Sequence, residues 1–217
     1  MFFRRKPRIQ RNLDLAGMIG EIRNKYGFNS PKILSAMLKV DRVHFVPWEF
    51  RESAYEDGPI SIGWSQTISQ PYTVAFMTNL LGLQGKEKVL EVGTGSGYQA
   101  AILSRLAKSV FTIERIPELG IEAAKRLKEL GYKNVQVKIG NGENGWKEEA
   151  PFDAILVTAG LKRIPKELFV ELIDGGVLVA PVGAGDDKVM TKYVKKGKKI
   201  NKKEFGIFHF VPFVEEN

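Results

Sequence analysis

The chain contains no cysteine and only two histidines, His44 and His209. That excludes disulfides, thiolate metal sites and a cysteine nucleophile, and it argues against a metal centre built on imidazoles. No apolar run is long enough to span a bilayer, and the opening MFFRRKPRI lacks the hydrophobic core of a signal peptide. The expectation is a monomeric, cytoplasmic protein. At 217 residues with 43% hydrophobic content, the chain can bury a full core as one domain with an N-terminal extension. Net positive charge is also missing from most of its length, where basic groups are slightly outnumbered by acidic ones. The net +8 is concentrated in residues 1–11, with five basic groups and no acid, and in residues 186–204, with eight lysines against Asp186, Asp187 and Glu204. Basicity confined in this way reads as a solvated arm and a solvated turn, KKGKKINKK around Gly197, with no nucleic-acid partner expected.

What is present is organised around KVLEVGTGSGYQAAILSRL, residues 88–106. A short apolar run, Val89–Val92, leads into Gly93, Gly95 and Gly97, after which Ala101, Ile102 and Leu106 recur at helical spacing. This is a strand, a glycine turn and a helix, placed where an open α/β sheet holds its ligand. A dinucleotide fingerprint would require glycine at position 98, where Tyr98 stands. The spacing E-x-G-x-G-x-G led by Glu91 instead resembles the first motif of Rossmann-like S-adenosylmethionine methyltransferases. Glu91 is then a candidate acceptor for the cofactor's ammonium group, directly or through water. A second strand, Val110–Ile113, ends at Glu114, about twenty residues past the first glycine, where this architecture sets the carboxylate that accepts from ribose hydroxyls. For both acids and for the turn, a purely structural role is the competing reading.

Along the chain, Leu13, Ile19, Ile22 and Tyr26 share a helical face closed by Gly27, and Ser30-Pro31 opens a second helix over 32–40. Residues 41–71 read as one long irregular passage rich in aromatics, a pattern that favours a functional loop. Ser69-x-Pro71 opens a helix through Ala75, Met77 and Leu81, with Ser69 as its N-cap. Further on come a helix over 117–130 stopped by Gly131, strands over 135–139 and 153–157, and a helix over 165–172 stopped by Gly175-Gly176. A strand over 177–182 follows, then a hairpin whose arms span 190–194 and 205–211. His209, between Phe208 and Phe210, reads as a packed core histidine.

The run IGWSQTISQP, with FVP and AYEDGPISIG before it and APFDAILVTAG and LIDGGVLVAPVG after it, resembles the protein-L-isoaspartate O-methyltransferase family over residues 33–212. That resemblance implies an α/β, Rossmann-like S-adenosyl-L-methionine-dependent fold: a mostly parallel sheet with helices on both faces, an N-terminal helical cap and substrate segment (1–82), and a cofactor-binding sheet with a terminal antiparallel hairpin (83–217). It implies methyl transfer to isoaspartyl residues of damaged peptides and proteins. Ser69 matches the family's active-site serine, with Thr67 as a second donor and Gln66 and Ile68 as substrate-segment residues. Asn141 and Gly142 stand where the family has an aspartate and glycine near the adenine, and residues 211–214 are expected to close over the site. The family's usual glycine before the Gln-Thr-Ile-Ser run is replaced by Ser65, its frequent proline before Arg42 by Asp41, and a histidine of some members by Val74.

The chemistry suits this inventory. A carboxyl of pKa ~4 is already ionised at neutral pH, so methylating it needs alignment and no strong base. Hydroxyls of Thr67 and Ser69 can orient it. Rival expectations are a methyltransferase acting on RNA or a small molecule, and a binding module that uses the cofactor fold as a scaffold.

Overall fold

The computed structural model describes residues 14–213; Leu13, Val214 and the basic arm lie outside them. Helix α1 (Leu15–Tyr26) is capped by Asp14, whose carboxylate accepts from the Gly17 N–H at 2.8 Å, and is ended by Gly27 in the left-handed region. Helix α2 (Pro31–Leu38) starts at Ser30, although the serine side chain makes no cap hydrogen bond and Pro31 supplies the first-turn signal. Met18, Ile22, Leu34 and Met37 bury the shared face.

The passage 41–71 is more ordered than its sequence suggests. It contains 3-10 turns over Arg42–Phe45 and Trp48–Ser53, then a two-stranded hairpin of β1 (Ile60–Gly63) and β2 (Gln66–Ile68). Its register pairs Ile60 with Ile68, Ser61 with Thr67 and Gly63 with Gln66. Strands of four and three residues are too short to show alternation, which is why no periodicity announced them. Trp64 and Ser65 turn the hairpin at φ 54° and 55°, as a tight primed turn demands.

Helix α3 (Pro71–Leu81) follows, then the sheet: β3 (Lys88–Val92), α4 (Tyr98–Ser104), β4 (Ser109–Glu114), α5 (Pro117–Glu129), β5 (Val135–Ile139), β6 (Phe152–Val157), α6 (Lys166–Val170), β7 (Leu172–Val182), β8 (Asp187–Lys196) and β9 (Lys199–His209). Strand order is β5-β4-β3-β6-β7-β8-β9. The first five are mutually parallel, and the β7–β8 and β8–β9 pairings are antiparallel. Alternation along the strands feeds two buried clusters, one containing Val89, Val110 and Leu156 and the other Leu90, Val92, Ile113 and Val157. Helices therefore cover both faces, the expected Rossmann-like arrangement. Chain order reverses at β3, so a crevice opens beyond the carboxyl ends of β3 and β6.

Three further expectations change. Helix α6 is shorter than 165–172 and Gly175-Gly176 does not stop it: both glycines lie inside β7, where pairing jumps from Phe152–Leu172 to Ala154–Val177. A Cβ on Gly176 would lie 2.7 Å from Leu172 Cγ, so the pair marks a bulge. The β8–β9 hairpin is longer than expected at both arms, with Gly197 in its lysine-rich turn. His209 is not a core residue; its side chain is 82% exposed and sits 3.4 Å from Asp187. With a two-residue period, packing Phe208 and Phe210 inward turns the residue between them out.

Candidate active site

Beyond β3 the backbone enters the left-handed region three times, at Gly93, Gly95 and Gly97, before α4 begins. The first position is the most demanding. At φ 102° an added Cβ would lie 2.3 Å from Thr158 Oγ1, and that hydroxyl is already engaged with the carbonyls of Gly93 (2.7 Å) and Val92 (3.0 Å). The Gly93 and Thr94 N–H groups both donate to the Ile113 carbonyl, at 2.9 and 3.2 Å, tying the turn to the end of β4.

Glu114 closes that strand. It is 6% exposed, lines the crevice, and accepts from the Gly95 N–H at 2.7 Å and the Ile116 N–H at 3.0 Å. A carboxylate offers about four acceptor sites, so it can still accept from vicinal hydroxyls. Past β5, Asn141 and Gly142 line the same crevice. The Asn141 Oδ1 accepts from the Glu143 N–H at 2.9 Å and its Nδ2 donates to Glu143 Oε2 at 3.2 Å, a turn-capping arrangement that leaves its oxygen one further lone pair. Gly142 is buried, and a Cβ there would lie 2.2 Å from Val92 Cγ1.

Glu91 is placed differently from the expectation. It is fully buried and does not line the crevice, because in β3 it points to the face opposite Leu90 and Val92. Burial pushes its carboxyl up to about 8; the Thr112 hydrogen bond opposes this and the nearby Glu114 charge adds to it. Its route to the crevice is indirect. The Thr112 hydroxyl donates to Glu91 Oε2 at 2.5 Å, and the Thr94 hydroxyl, at the crevice wall, lies 2.6 Å from Thr112 Oγ1. Neither threonine stood out in the sequence, though Thr112 is a polar residue inside an apolar strand, directly in register with Glu91.

The opposite wall is β2 and its exit. Gln66, Thr67, Ile68 and Ser69 all line the crevice. Ile68 is 4% exposed against Ile60, whereas Gln66 donates to the Trp64 carbonyl at 3.3 Å. Ser69 is not the helix cap; Gln70 holds that position and its side chain makes no cap bond. The hydroxyls of Thr67 and Ser69 have no hydrogen-bond partner among the described residues. Val74 lines the same wall as a buried apolar residue. The chain's end closes a third side: Gly160 N–H donates to the Val211 carbonyl at 2.8 Å and Phe213 N–H to the Gly160 carbonyl at 3.0 Å, with Val211, Pro212 and Phe213 on the crevice.

A second cleft adjoins the first, and Thr67, Ser69, Thr158 and Val211 line both. Its other walls include Tyr26, Tyr72, Phe208 and His209. The donors on β2 thus stand at a boundary. On one side lies a glycine-floored crevice with a fixed carboxylate, fit for an adenosine-bearing cofactor; on the other lies a groove beside the edge strand β9.

A family model described as Protein-L-isoaspartate(D-aspartate) O-methyltransferase matches residues 15–217. The Protein-L-isoaspartate O-methyltransferase of Dictyoglomus turgidum is 52% identical over 196 residues, 90% of this chain and 89% of its own. That of Syntrophus aciditrophicus is 50% identical over 193 residues, 88% of each chain. A solved protein-L-isoaspartate O-methyltransferase, 27% identical, superimposes with a TM-score of 0.80 over 91% of this chain and 65% of its own length. A structure from Plasmodium falciparum in complex with S-adenosyl-L-homocysteine shares the fold at 22% identity, with a TM-score of 0.82 over 94% of this chain and 99% of that one. The similarity runs through the glycine turn and the Thr67–Ser69 wall alike, and the chain belongs to the protein-L-isoaspartate(D-aspartate) O-methyltransferase family.

Proposed function

We infer that this protein transfers a methyl group from S-adenosyl-L-methionine to the free carboxylate of L-isoaspartyl residues in damaged proteins, opening their repair through a succinimide. The observation that carries the reading is the position of the Thr67 and Ser69 hydroxyls, without a hydrogen-bond partner among the described residues, on the boundary between crevice and groove. When bound, the cofactor supplies an electrophilic methyl group on a sulfonium. Gly93, Gly95 and Gly97 would let it approach the backbone, Glu114 would accept from its ribose hydroxyls, and Asn141 and Gly142 would border its adenine. Glu91 acts from beneath, through Thr112 and Thr94.

The acceptor carboxylate arrives ionised, because its pKa of ~4 lies well below neutrality. Ser69 and Thr67 donate to it and leave the attacking oxygen free, so they orient and do not act as nucleophiles. Alignment of this kind supplies roughly 7–11 kcal/mol at best. Gln66 and Ile68 shape the wall from which the donors project. No helix among the described residues is long and apolar enough to cross a membrane. The same reading has the enzyme act as a cytoplasmic monomer without a nucleic-acid partner, the lysines of the β8–β9 turn being solvated.

The test is a paired-peptide assay with labelled cofactor. A peptide carrying L-isoaspartate is expected to acquire base-labile methyl groups, and its normal-aspartate twin to acquire none. Equal labelling of both, or of neither, would sink the reading.

A further inference from the structure

Gln70 holds the N-cap of α3 but does not cap it, although this is a position where short polar side chains are favoured because they satisfy the free N–H groups of the first turn. Its amide reaches away from the helix. Nε2 lies 3.0 Å from Asp57 Oδ1, 3.3 Å from the Asp57 carbonyl and 2.9 Å from the Tyr26 hydroxyl, while Oε1 accepts from the Thr73 hydroxyl at 3.3 Å. The second oxygen of Asp57 takes the Tyr26 hydroxyl at 2.5 Å and Lys25 Nζ at 2.7 Å. The Asp57 side chain is only 5% exposed. Burial alone would raise its pKa, but the bonds from Lys25, Tyr26 and Gln70 hold it below the usual carboxylate value. The loop bearing Asp57 is itself anchored, since buried Arg42 donates from Nε to the Ala54 carbonyl at 2.9 Å and from Nη2 to the Gly58 carbonyl at 3.5 Å.

This braced cluster abuts the donor segment. Gln70 follows Ser69 directly, and Tyr26, Gln70 and Thr73 line the groove that Thr67 and Ser69 line. The segment's remaining tether is a hairpin of three paired positions. We propose that Asp57, acting through the Gln70 amide, is a positioning device that fixes the Thr67–Ser69 donors against the arriving carboxylate. Asp57 lines neither the crevice nor the groove. The inference rests on the orienting role given to Ser69 above. A bond to an ionised carboxylate is stronger and shorter than a neutral one, so an anion behind the wall holds the backbone of the next residue more firmly than a neutral acceptor would.

The experiment measures kcat and KM with an isoaspartyl peptide, and S-adenosylhomocysteine affinity by calorimetry, for Gln70→Ala, Ser69→Ala, their double variant and the exchanged pair Asp57→Asn/Gln70→Glu. Gln70→Ala is expected to lower kcat about 10- to 100-fold, the scale of an ångström of misplacement, with cofactor-product affinity within about twofold of the parent. Adding it to Ser69→Ala should cost no more than about threefold further, because residues acting through one another are not additive. The exchanged pair, which restores one donor and one acceptor with polarity reversed, should recover most of the kcat lost in Gln70→Ala. Full additivity, a parallel loss of cofactor-product affinity, or no recovery in the exchanged pair would overturn the proposal. If Ser69→Ala is crippled while Gln70→Ala stays within twofold of the parent, this inference alone fails. If Ser69→Ala keeps the parent's kcat, the orienting role fails and takes the inference with it.

Discussion

The two walls of the active site are built in opposite ways. The glycine turn sits on the carboxyl end of a buried parallel strand, its amides committed to the Ile113 carbonyl, the Glu114 carboxylate and the Thr94 carbonyl, and its neighbours almost without solvent exposure. The facing wall is a three-residue strand and the serine that follows it, part of a two-stranded hairpin turned by two non-glycine residues at positive φ, with the Thr67 and Ser69 hydroxyls without partners among the described residues. The glycine-turn wall is therefore held by the whole sheet, whereas the Thr67–Ser69 wall depends on a few local braces. On the proposed function, a ligand of constant shape would meet the first and polypeptides of varied sequence the second.

The sharpest break of that contrast is Gly93→Ala. The new Cβ would meet Thr158 Oγ1 at 2.3 Å, and the φ of 102° is unfavourable for any side chain. Strain of about 1–3 kcal/mol from the backbone alone corresponds to roughly 10- to 100-fold weaker cofactor binding, measured by calorimetry with S-adenosylhomocysteine. Next comes a crossed pair. Ser69→Ala should lower kcat by about 10- to 100-fold, since a hydrogen bond to a charged group contributes roughly 1.5–3 kcal/mol, with cofactor affinity preserved. Glu114→Gln should instead weaken cofactor affinity, with the smaller effect on kcat at saturation. Exchange of these two outcomes would reverse the assignment of the walls.

A third test uses pH. The Glu91 carboxyl is pushed up to about 8 from an ordinary value of 4.5, so between these values the unfolded chain releases a proton that the folded protein keeps. Stability from this group is complete below about pH 4.5, falls as pH rises through the window and levels off above about 8. Glu91→Gln, which retains an acceptor for Thr112, should flatten that decline in thermal melts taken from pH 5 to 9. A variant that follows the parent curve would refute the buried, proton-holding state.

The smallest effect is expected at the hairpin turn. Ser65 has φ 55°, and glycine adopts this conformation without the Cβ penalty of about 1–2 kcal/mol, a gain partly offset by its own backbone entropy. Ser65→Gly should therefore raise stability by roughly 0.5–1 kcal/mol, read from denaturant midpoints, with kcat little changed. A destabilised variant would show that the turn's present geometry is not strained.

Legibility followed the range of the forces involved. Gly93, Gly95 and Gly97 were readable because a left-handed backbone excludes most other residues, and Glu114 because it ends a recognisable apolar run. The Thr67–Ser69 segment was identified from its motif, yet nothing local revealed the three-residue strand that carries it, or that Gln70 and not Ser69 takes the helix N-cap. His209 was misread because aromatic neighbours suggest a core, while strand alternation turns the intervening residue outward. Gly175-Gly176 was misread as a helix stop because a bulge and a C-cap ask for the same residue.

Chain chirality, side-chain periodicity and residue chemistry act over a few positions, and these were enough to determine the alternating architecture and the glycine turn, while the reaction was legible only through the resemblance carried by the Gln66–Pro71 motif. Tertiary structure alone decided that Glu91 is sealed inside, where burial raises its pKa, that Asp57 reaches Gln70 and Tyr26, and that two clefts meet at Ser69. Those outcomes depend on the dielectric surroundings and on contacts between residues far apart in the chain, and neither is encoded in any short window of sequence.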